Sequence, residues 1–255
     1  YLEAITRHAD NDTGSGGDES NHGTFLWAYL LTGDTTYRQK CLDWAATEWG
    51  RTDFSKEWIG FEVNRMAQIY DTLYQELTTT QRTEIRGYLE RALTAHLAKM
   101  GSWYYNNPSN TVPSQGGAAG MSALALLWED SRAPDAVTQT RNKLAAYAGN
   151  MFPADGGYSE GPLYWDFGVS YYLWFAHADH NTTGDDTLVN NPNLLQQYRF
   201  AETMLGGNGQ FMTFNDTGGP RLTALPVCAD LGSRLDNDLM LWLADLMAKR
   251  KAGHS

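Results

Sequence analysis

Apolar residues recur at helical spacing along most of this chain, and that pattern most constrains what it can fold into. From residue 21 to residue 250, one segment after another carries apolar side chains three or four positions apart, and no segment reads as a strand. Two of these segments, 116–128 and 163–178, are apolar on every side, which predicts buried inner helices. The segment between them, 133–151, is amphipathic and predicts an outer helix.

The predicted fold class is all-α. Helices are expected over 21–31, 36–49, 57–74, 81–100, 116–128, 133–151, 163–178, 193–205, 222–231 and 235–250. In the later part, buried and amphipathic helices alternate, as in stacked helical hairpins in which one helix of each pair faces inward. No repeat of fixed length is present, which argues against a solenoid. The expected architecture is an incomplete α/α toroid of about five hairpins, forming a single domain over residues 1–255.

Charge and composition exclude several functional classes. The formal net charge is −11, and no basic stripe of the kind found in nucleic-acid-binding proteins is present. No apolar run is long enough to span a membrane, and no Cys/His cluster has zinc spacing. We therefore expect no nucleic-acid partner, no membrane partner and no metal. Cys41 and Cys228 are expected to be buried thiols, with a disulfide between them left open, and His96 is expected on the surface of its helix.

The segment 152–168 combines a turn with the start of a helix. An Asp-Gly-Gly sequence opens it as a turn, and Gly161-Pro162 suits a helix start, because proline fits the first helical position. Glu160 then lies directly before the N-terminus of the helix and Tyr164 on its first turn, near the positive end of the helix dipole. A loop-to-helix junction with such groups is typical of a functional site. The alternative is that Tyr164 and Trp165 are core aromatics and that Glu160 is a helix cap.

A second polar segment, 103–117, leads into the first inner helix. It is rich in aromatic, amide and hydroxyl side chains and carries no charge. Flat aromatic rings stack on sugar faces, and Asn and Gln amides bond hydroxyl groups or a carboxylate. The segment is therefore a candidate sugar site, and the alternative is an ordinary polar loop with Asn and Pro turns.

Three segments together resemble the toroid domain of the heparinase II/III-like polysaccharide lyases and their alginate-lyase relatives. Residues 69–78 are similar to the family's Tyr-Asp helix end before a Leu-Thr turn. The Asn-rich loop into Gly116-Gly117 is similar to the segment with the family's carboxylate-neutralising groups. Residues 155–165 are similar to the segment with its catalytic tyrosine. The resemblance implies β-elimination at a uronic acid: a base removes the C5 proton, donors neutralise the carboxylate, and an acid protonates the leaving O4.

The same resemblance assigns the roles of individual residues. Tyr164 is expected to be the acid, and for one substrate epimer also the base. Gln115 and Asn110 are expected to bind the uronate carboxylate, while Glu160 orients Tyr164 or a sugar hydroxyl. The other expected substrate contacts are Asn106, Asn107, Tyr104, Tyr105 and Trp165. The implied substrate is an acidic polysaccharide or oligosaccharide, with no cofactor and a secreted or periplasmic location.

The chain also departs from the family's pattern. Asp166 follows soon after Tyr164 where relatives can carry an arginine, and Gln115 stands where they often have a histidine. A free tyrosine has a pKa of about 10, so a tyrosinate base needs a cation nearby. Relatives also carry a β-sandwich domain after the toroid. That domain and part of the amino-terminal region are expected to be missing from this chain.

Two other functions stay open at this point. The first is a glycoside hydrolase on an α/α toroid, with Asp155, Glu160 or Asp166 as its paired carboxylates. The second is a non-catalytic domain that binds glycans. A lyase releases an unsaturated uronate that absorbs in the ultraviolet. A hydrolase releases no such product, and a binding domain turns over no polyuronate at all.

Overall fold

A computed structural model of the chain describes residues 5–6, 9–10, 21–56, 59–100, 108–206, 210–215 and 225–251. Within these residues lie 10 α-helices. In chain order they are α1 (Asn21–Thr32), α2 (Thr35–Glu48), α3 (Ile59–Leu73), α4 (Thr79–Lys99), α5 (Gly117–Ala125), α6 (Ala133–Met151), α7 (Pro162–Thr183), α8 (Tyr198–Met204), α9 (Leu225–Leu235) and α10 (Asp238–Lys251). A π-helical turn, π1 (Val112–Gly116), precedes α5, and a 3₁₀ turn (Leu194–Gln196) precedes α8. The described residues form no β-strand, and the predicted all-α class is confirmed.

Local sequence signals explain several helix ends. At the start of α4, the Thr78 hydroxyl accepts from the Gln81 N–H (3.2 Å), while the Gln81 side chain accepts from the Thr78 N–H (2.9 Å). This reciprocal capping box satisfies two amides that the first helical turn leaves unpaired. Helix α7 begins at Pro162, as predicted, and ends before Gly184, whose φ of 77° is the left-handed conformation that closes many helices. The predicted bounds of α6, 133–151, are also confirmed.

Two predicted helices differ from the structure in type or continuity, while α7 and α9 continue past their predicted ends at 178 and 231, to Thr183 and Leu235. The helix expected over 116–128 is preceded by π1, and its α-helical part ends at Ala125. The helix expected over 193–205 is split into the 3₁₀ turn and the short α8. In both places the apolar pattern continues through the change, so hydrophobic spacing alone does not separate the helix types.

Helix α5 lies at the centre of the packing, in contact with α3, α4, α6 and α7. Its residues from Gly117 to Ala123 are all buried, which confirms the prediction of an inner helix. Small side chains permit this close approach. A Cβ added to Gly120 would lie 2.3 Å from the Phe175 ring of α7 and 2.6 Å from the Thr140 methyl group of α6.

Helix α6 matches its predicted position, and α7 matches it in part, because α7 also exposes Leu163 and Trp174. One side of α6 is buried and the other faces solvent, as expected of an outer helix. Helix α7 buries Trp165, Tyr172 and Phe175 completely, as expected of an inner one. A bidentate ion pair between Arg141 of α6 and Asp179 of α7 joins the two (both N–O distances 2.7 Å).

Two cysteines and a histidine are among the titratable groups of the core. Cys41 and Cys228 are buried free thiols, as predicted. Burial raises the pKa of Cys41 to about 12 and also raises that of Cys228. The surface position expected for His96 is wrong, since the residue is fully buried. It follows Leu89 and Leu93 at helical spacing, so it shares the face of α4 that packs inward.

No helix in the described part of the chain is both long enough and apolar enough to cross a membrane.

Candidate functional site

Glu160 joins the two polar segments that stand out in the sequence. One carboxylate oxygen accepts from the backbone N–H of Asn110 (2.8 Å), and the other accepts from its side-chain amide (3.2 Å). The two residues are 50 positions apart in the chain. Glu160 therefore fastens the loop before α7 to the loop before π1.

Two buried phenols continue the hydrogen-bond network from Glu160. The Tyr158 hydroxyl donates to Glu160 Oε2 (3.2 Å), and the Tyr147 hydroxyl lies 2.8 Å from that of Tyr158. Burial raises the pKa of both phenols, and that of Tyr158 is also raised by Tyr147 and Glu160. Both groups therefore stay protonated and can act as hydrogen-bond donors.

Glu160 is not a helix cap, although the sequence leaves that interpretation open. The N-terminus of α7 has Gly161 at the capping position and no side-chain capping hydrogen bond. Gly161 has a φ of 88°, and a Cβ there would lie 2.9 Å from the carbonyl oxygen of Phe214. The loop before α7 thus passes tightly under the segment 210–215, and Asn215 donates its side-chain amide to the Ser159 carbonyl (3.2 Å).

Tyr164 lies on the first turn of α7 and is partly buried. Its ring meets Phe167 edge to face, with centroids 6.5 Å apart. Tyr164 follows Glu160 by four positions, and only Gly161 and the first helical residues separate them. The structure therefore places a phenol directly after the loop that Glu160 binds to Asn110.

Trp165 lies on another face of the same helical turn and differs from its expected role. It is fully buried, its indole N–H donates to Gln197 Oε1 (3.1 Å), and its ring packs against Phe200 with centroids 5.4 Å apart. Successive helical residues point about 100° apart, so Tyr164 and Trp165 cannot share one face. The prediction that Trp165 stacks on a sugar is wrong, because neither face of its ring is open.

Gln115 lies in π1, which contacts α3, α5, α6 and α7. All five residues of π1 are buried, and Gln115 is 1% exposed, whereas the sequence predicts a polar loop over 103–117. Single π-helical turns are rare and occur frequently at functional sites. The available sequence signal is Pro113 close before a pair of glycines, which disfavours regular α-helical hydrogen bonding.

A buried amide that the sequence analysis missed lies on α3. Asn64 is 1% exposed, and its side-chain oxygen has no hydrogen-bond partner among the described residues. Gly60, one turn earlier on the same face, approaches the backbone of Ser114 and Gln115. Asn64 therefore faces the same side of α3 as the contact with π1. A single amide within the apolar stripe of α3 is the signal that would have found it.

The remaining candidates divide into two groups. Asp155 accepts from the Gly157 N–H (3.0 Å) within its own turn, and Asp166 accepts from the Ser170 hydroxyl (3.2 Å) one helical turn away. The others lie outside the described residues and stay predictions: Tyr104, Tyr105, Asn106 and Asn107. Within the described part of the chain, no group of three or more His, Cys, Asp and Glu side chains is placed to hold a metal ion.

No protein-family model matches this chain, and a search of curated proteins finds no significant match. What the chain does is therefore inferred from its own residues and their geometry.

Proposed function

We propose that this chain is a polysaccharide lyase that cleaves a uronic-acid-containing glycan by β-elimination. One observation carries the proposal: the Glu160 carboxylate holds the amide-bearing loop at Asn110 against the loop before α7, the helix whose first turn carries Tyr164. A lyase of this kind needs a phenol and a carboxylate-binding amide within reach of one sugar unit. The segments that carry these groups are also those that resemble the heparinase II/III-like lyases.

The acid and the carboxylate donors each have a candidate group, and so does the base for one epimer of the substrate. Removal of the C5 proton leaves an electron pair that forms the C4–C5 double bond as the C4–O4 bond breaks. For that epimer, deprotonated Tyr164 takes the C5 proton and passes it to the departing O4. For the other epimer, a separate base takes the C5 proton while protonated Tyr164 gives its own proton to O4. Amide donors stabilise the charge that builds up on the uronate carboxylate, because a dianion is otherwise too costly.

Asn110 is the first of these amide donors. Its side-chain nitrogen carries two N–H groups, of which one is given to Glu160 and the other is available to a ligand. Gln115 is almost fully buried in π1, so we assign it to the floor of the site beneath the sugar. Glu160 keeps Asn110 in place and orients the sugar or Tyr164.

The hydrolase alternative has less support. Hydrolysis requires two carboxyl groups placed on either side of the glycosidic bond. Both oxygens of Glu160 already accept hydrogen bonds from Asn110 or Tyr158. Asp155 and Asp166 each accept one from a neighbour in their own turn or helix.

The proposal extends to the architecture and the location. We infer that the helices form part of an α/α toroid, since buried α5 and α7 alternate with amphipathic α6, as inner and outer helices do in that fold. The loops that precede the two inner segments meet at Glu160, as expected where a toroid gathers its site loops. A polymeric uronate as substrate favours a secreted or periplasmic location.

A continuous ultraviolet assay tests the proposed function. The chain is mixed with alginate, hyaluronan, chondroitin or heparan, and the absorbance of unsaturated uronate is followed beside the release of reducing ends. We expect turnover of at least one polymer and a loss in kcat of about 10²-fold or more in Tyr164→Phe, which lacks the proton donor. Tyr74→Phe is the matched control: Tyr74 directly follows the last residue of α3 and contacts Tyr70, and its variant should keep full activity.

Two results would overturn the proposal. Reducing ends released without the unsaturated product would identify a hydrolase. Glycan binding without turnover, with an affinity that Tyr164→Phe leaves unchanged, would identify a non-catalytic binding domain.

A further inference from the structure

We propose that Tyr158 is a positioning residue of the site: supported by Tyr147, its hydroxyl fixes the orientation in which the Glu160 carboxylate holds Asn110. The role of Asn110 in catalysis rests on the proposed function. The hydrogen-bond chain from Tyr147 to Asn110 does not, and it can be tested without any substrate.

The direction of the hydrogen bonds from Tyr147 to Glu160 follows from counting protons. A phenol has a single proton to donate. Tyr158 gives its proton to Glu160 Oε2, so the hydrogen between the two phenols must come from Tyr147. The hydrogen bonds are therefore donated in one direction, from Tyr147 to Tyr158 and from Tyr158 to the Glu160 carboxylate.

The two phenols are held rigidly. Tyr147 and Tyr158 are 2% and 4% exposed, so both side chains are shielded from bulk water. The Tyr147 ring packs edge to face on Phe152 (centroids 5.3 Å apart) and the Tyr158 ring on Phe200 (6.2 Å). Fixed rings place the Tyr158 hydroxyl at one point relative to Glu160.

Gly168 of α7 makes room for this arrangement. A Cβ at Gly168 would lie 2.5 Å from the Tyr158 hydroxyl and 2.7 Å from that of Tyr147. Glycine is unfavourable inside a helix, because it loses more backbone entropy than alanine on folding. A glycine opposite both hydroxyls is accounted for by the space that they occupy.

The consequence for Glu160 concerns its Oε2 atom. That oxygen accepts from the Asn110 backbone N–H and from the Tyr158 hydroxyl. Without the second donor, Asn110 is the one hydrogen-bond partner among the described residues that still restrains the carboxylate, which can then rotate about its terminal bond. The Asn110 amide should consequently open more often, and its side chain should be less well placed for a ligand.

Hydrogen exchange of the Asn110 backbone amide measures this restraint directly. In Tyr158→Phe, we expect the amide to exchange about ten- to a hundredfold faster than in the parent chain, the factor that corresponds to the loss of one hydrogen bond to a charged group. With an active substrate, kcat should fall by a similar factor while KM changes little. Tyr147→Phe, which removes only the support for Tyr158, should change both quantities in the same direction and by less.

Tyr172→Phe is the matched control. Tyr172 is also a fully buried tyrosine, and its hydroxyl donates to the Leu188 carbonyl (3.2 Å), away from Glu160. Its variant loses one buried hydrogen bond as well, but it should leave Asn110 exchange and kcat unchanged.

The proposal is overturned if Tyr158→Phe and Tyr172→Phe accelerate Asn110 exchange equally at matched stability, since the effect would then be general loosening. If Tyr158→Phe does not fold, Tyr147→Phe decides: parent-like exchange at Asn110 in that variant overturns the proposal. An inactive parent chain would contradict the lyase function alone, because the exchange experiment contains no substrate.

Discussion

Gly60 of α3 and the Ser114 carbonyl of π1 lie so close together that no side chain fits between them. A Cβ on Gly60 would lie 2.4 Å from the Ser114 oxygen and 3.0 Å from its carbonyl carbon. The obstacle is backbone, which cannot rotate away as a long side chain does. This contact fixes π1, and Gln115 with it, against α3.

Gly60→Ala is therefore expected to destabilise the chain and to displace π1. We expect the free energy of unfolding to fall by about 1–3 kcal/mol, the usual cost of overpacking, as measured by urea denaturation. Gly149→Ala is the control, because Gly149 is exposed on α6 and has no heavy atom within 4 Å of an added Cβ. It should raise stability by about 0.5–1 kcal/mol through helix propensity. Equal effects of the two substitutions would contradict the packing argument.

The ion pair between Arg141 and Asp179 should contribute strongly to stability. Asp179 is 1% exposed and meets the guanidinium with two hydrogen bonds, while Asp185, 3.3 Å from Arg141, is more exposed. Removing one partner of a buried pair leaves the other charge poorly compensated. Asp179→Asn should therefore lower the free energy of unfolding by about 3 kcal/mol in a denaturant titration.

Asp245→Asn provides the comparison for that pair. Asp245 pairs with Lys249 on the exposed side of α10, where the two side chains are 47% and 62% accessible. Exposed pairs contribute little, so this variant should stay within about 0.5 kcal/mol of the parent. A similar loss in both variants would show that burial does not set the contribution of the Arg141 pair.

The parts of the fold that were predictable depend on neighbours in sequence. Thr78 and Gln81 cap α4 across three residues, and Pro162 starts α7 because its ring already has a helical φ. Such signals act within one turn of helix, so the sequence states them directly. The burial of α5 was likewise predictable, because its residues are small or apolar on all sides.

The parts that were missed depend on contacts distant in sequence. Nothing near Glu160 indicates that its partner is Asn110, and nothing near Trp165 indicates that Gln197 accepts its indole N–H. Tyr158 reads as an ordinary loop aromatic until Tyr147 is placed beside it. The sequence therefore singled out the two loops that Glu160 joins, but the packing of α6 and α7 determines which side chains lie beside them.

The burial of His96 predicts a pH dependence of stability. Burial lowers the pKa of His96 from 6.5 to about 3, with a smaller contribution from Lys99. Between these values the unfolded chain binds a proton that the folded chain does not, so stability is full above about pH 6.5 and falls as the pH decreases. The slope from this residue should approach about 1.4 kcal/mol per pH unit.

His96→Gln tests that assignment. Urea titrations from pH 7 to pH 4 give the free energy of unfolding at each pH. Its slope against pH should correspond to about one proton fewer taken up on unfolding in the variant than in the parent. At pH 7, His96 is largely neutral in both the folded and the unfolded parent chain. The titration at that pH therefore measures the packing cost of the substitution separately. An unchanged slope would mean that His96 is protonated in the folded chain.

The two cysteines should be unreactive until the chain unfolds. Cys41 and Cys228 are both fully buried, and burial raises the pKa of each thiol, that of Cys41 to about 12. The thiolate is the nucleophile, so neither residue should react with Ellman's reagent at pH 8 in the native state. In denaturant without reductant, both thiols should react.

Thr138→Cys serves as the positive control, because Thr138 is exposed on α6 and its thiol should react at once in the native protein. Native reactivity of the parent chain would show that α2 or α9, which carry Cys41 and Cys228, opens readily. A denatured parent chain that releases no thiol until reductant is added would reveal a disulfide and contradict the free thiols of this structure.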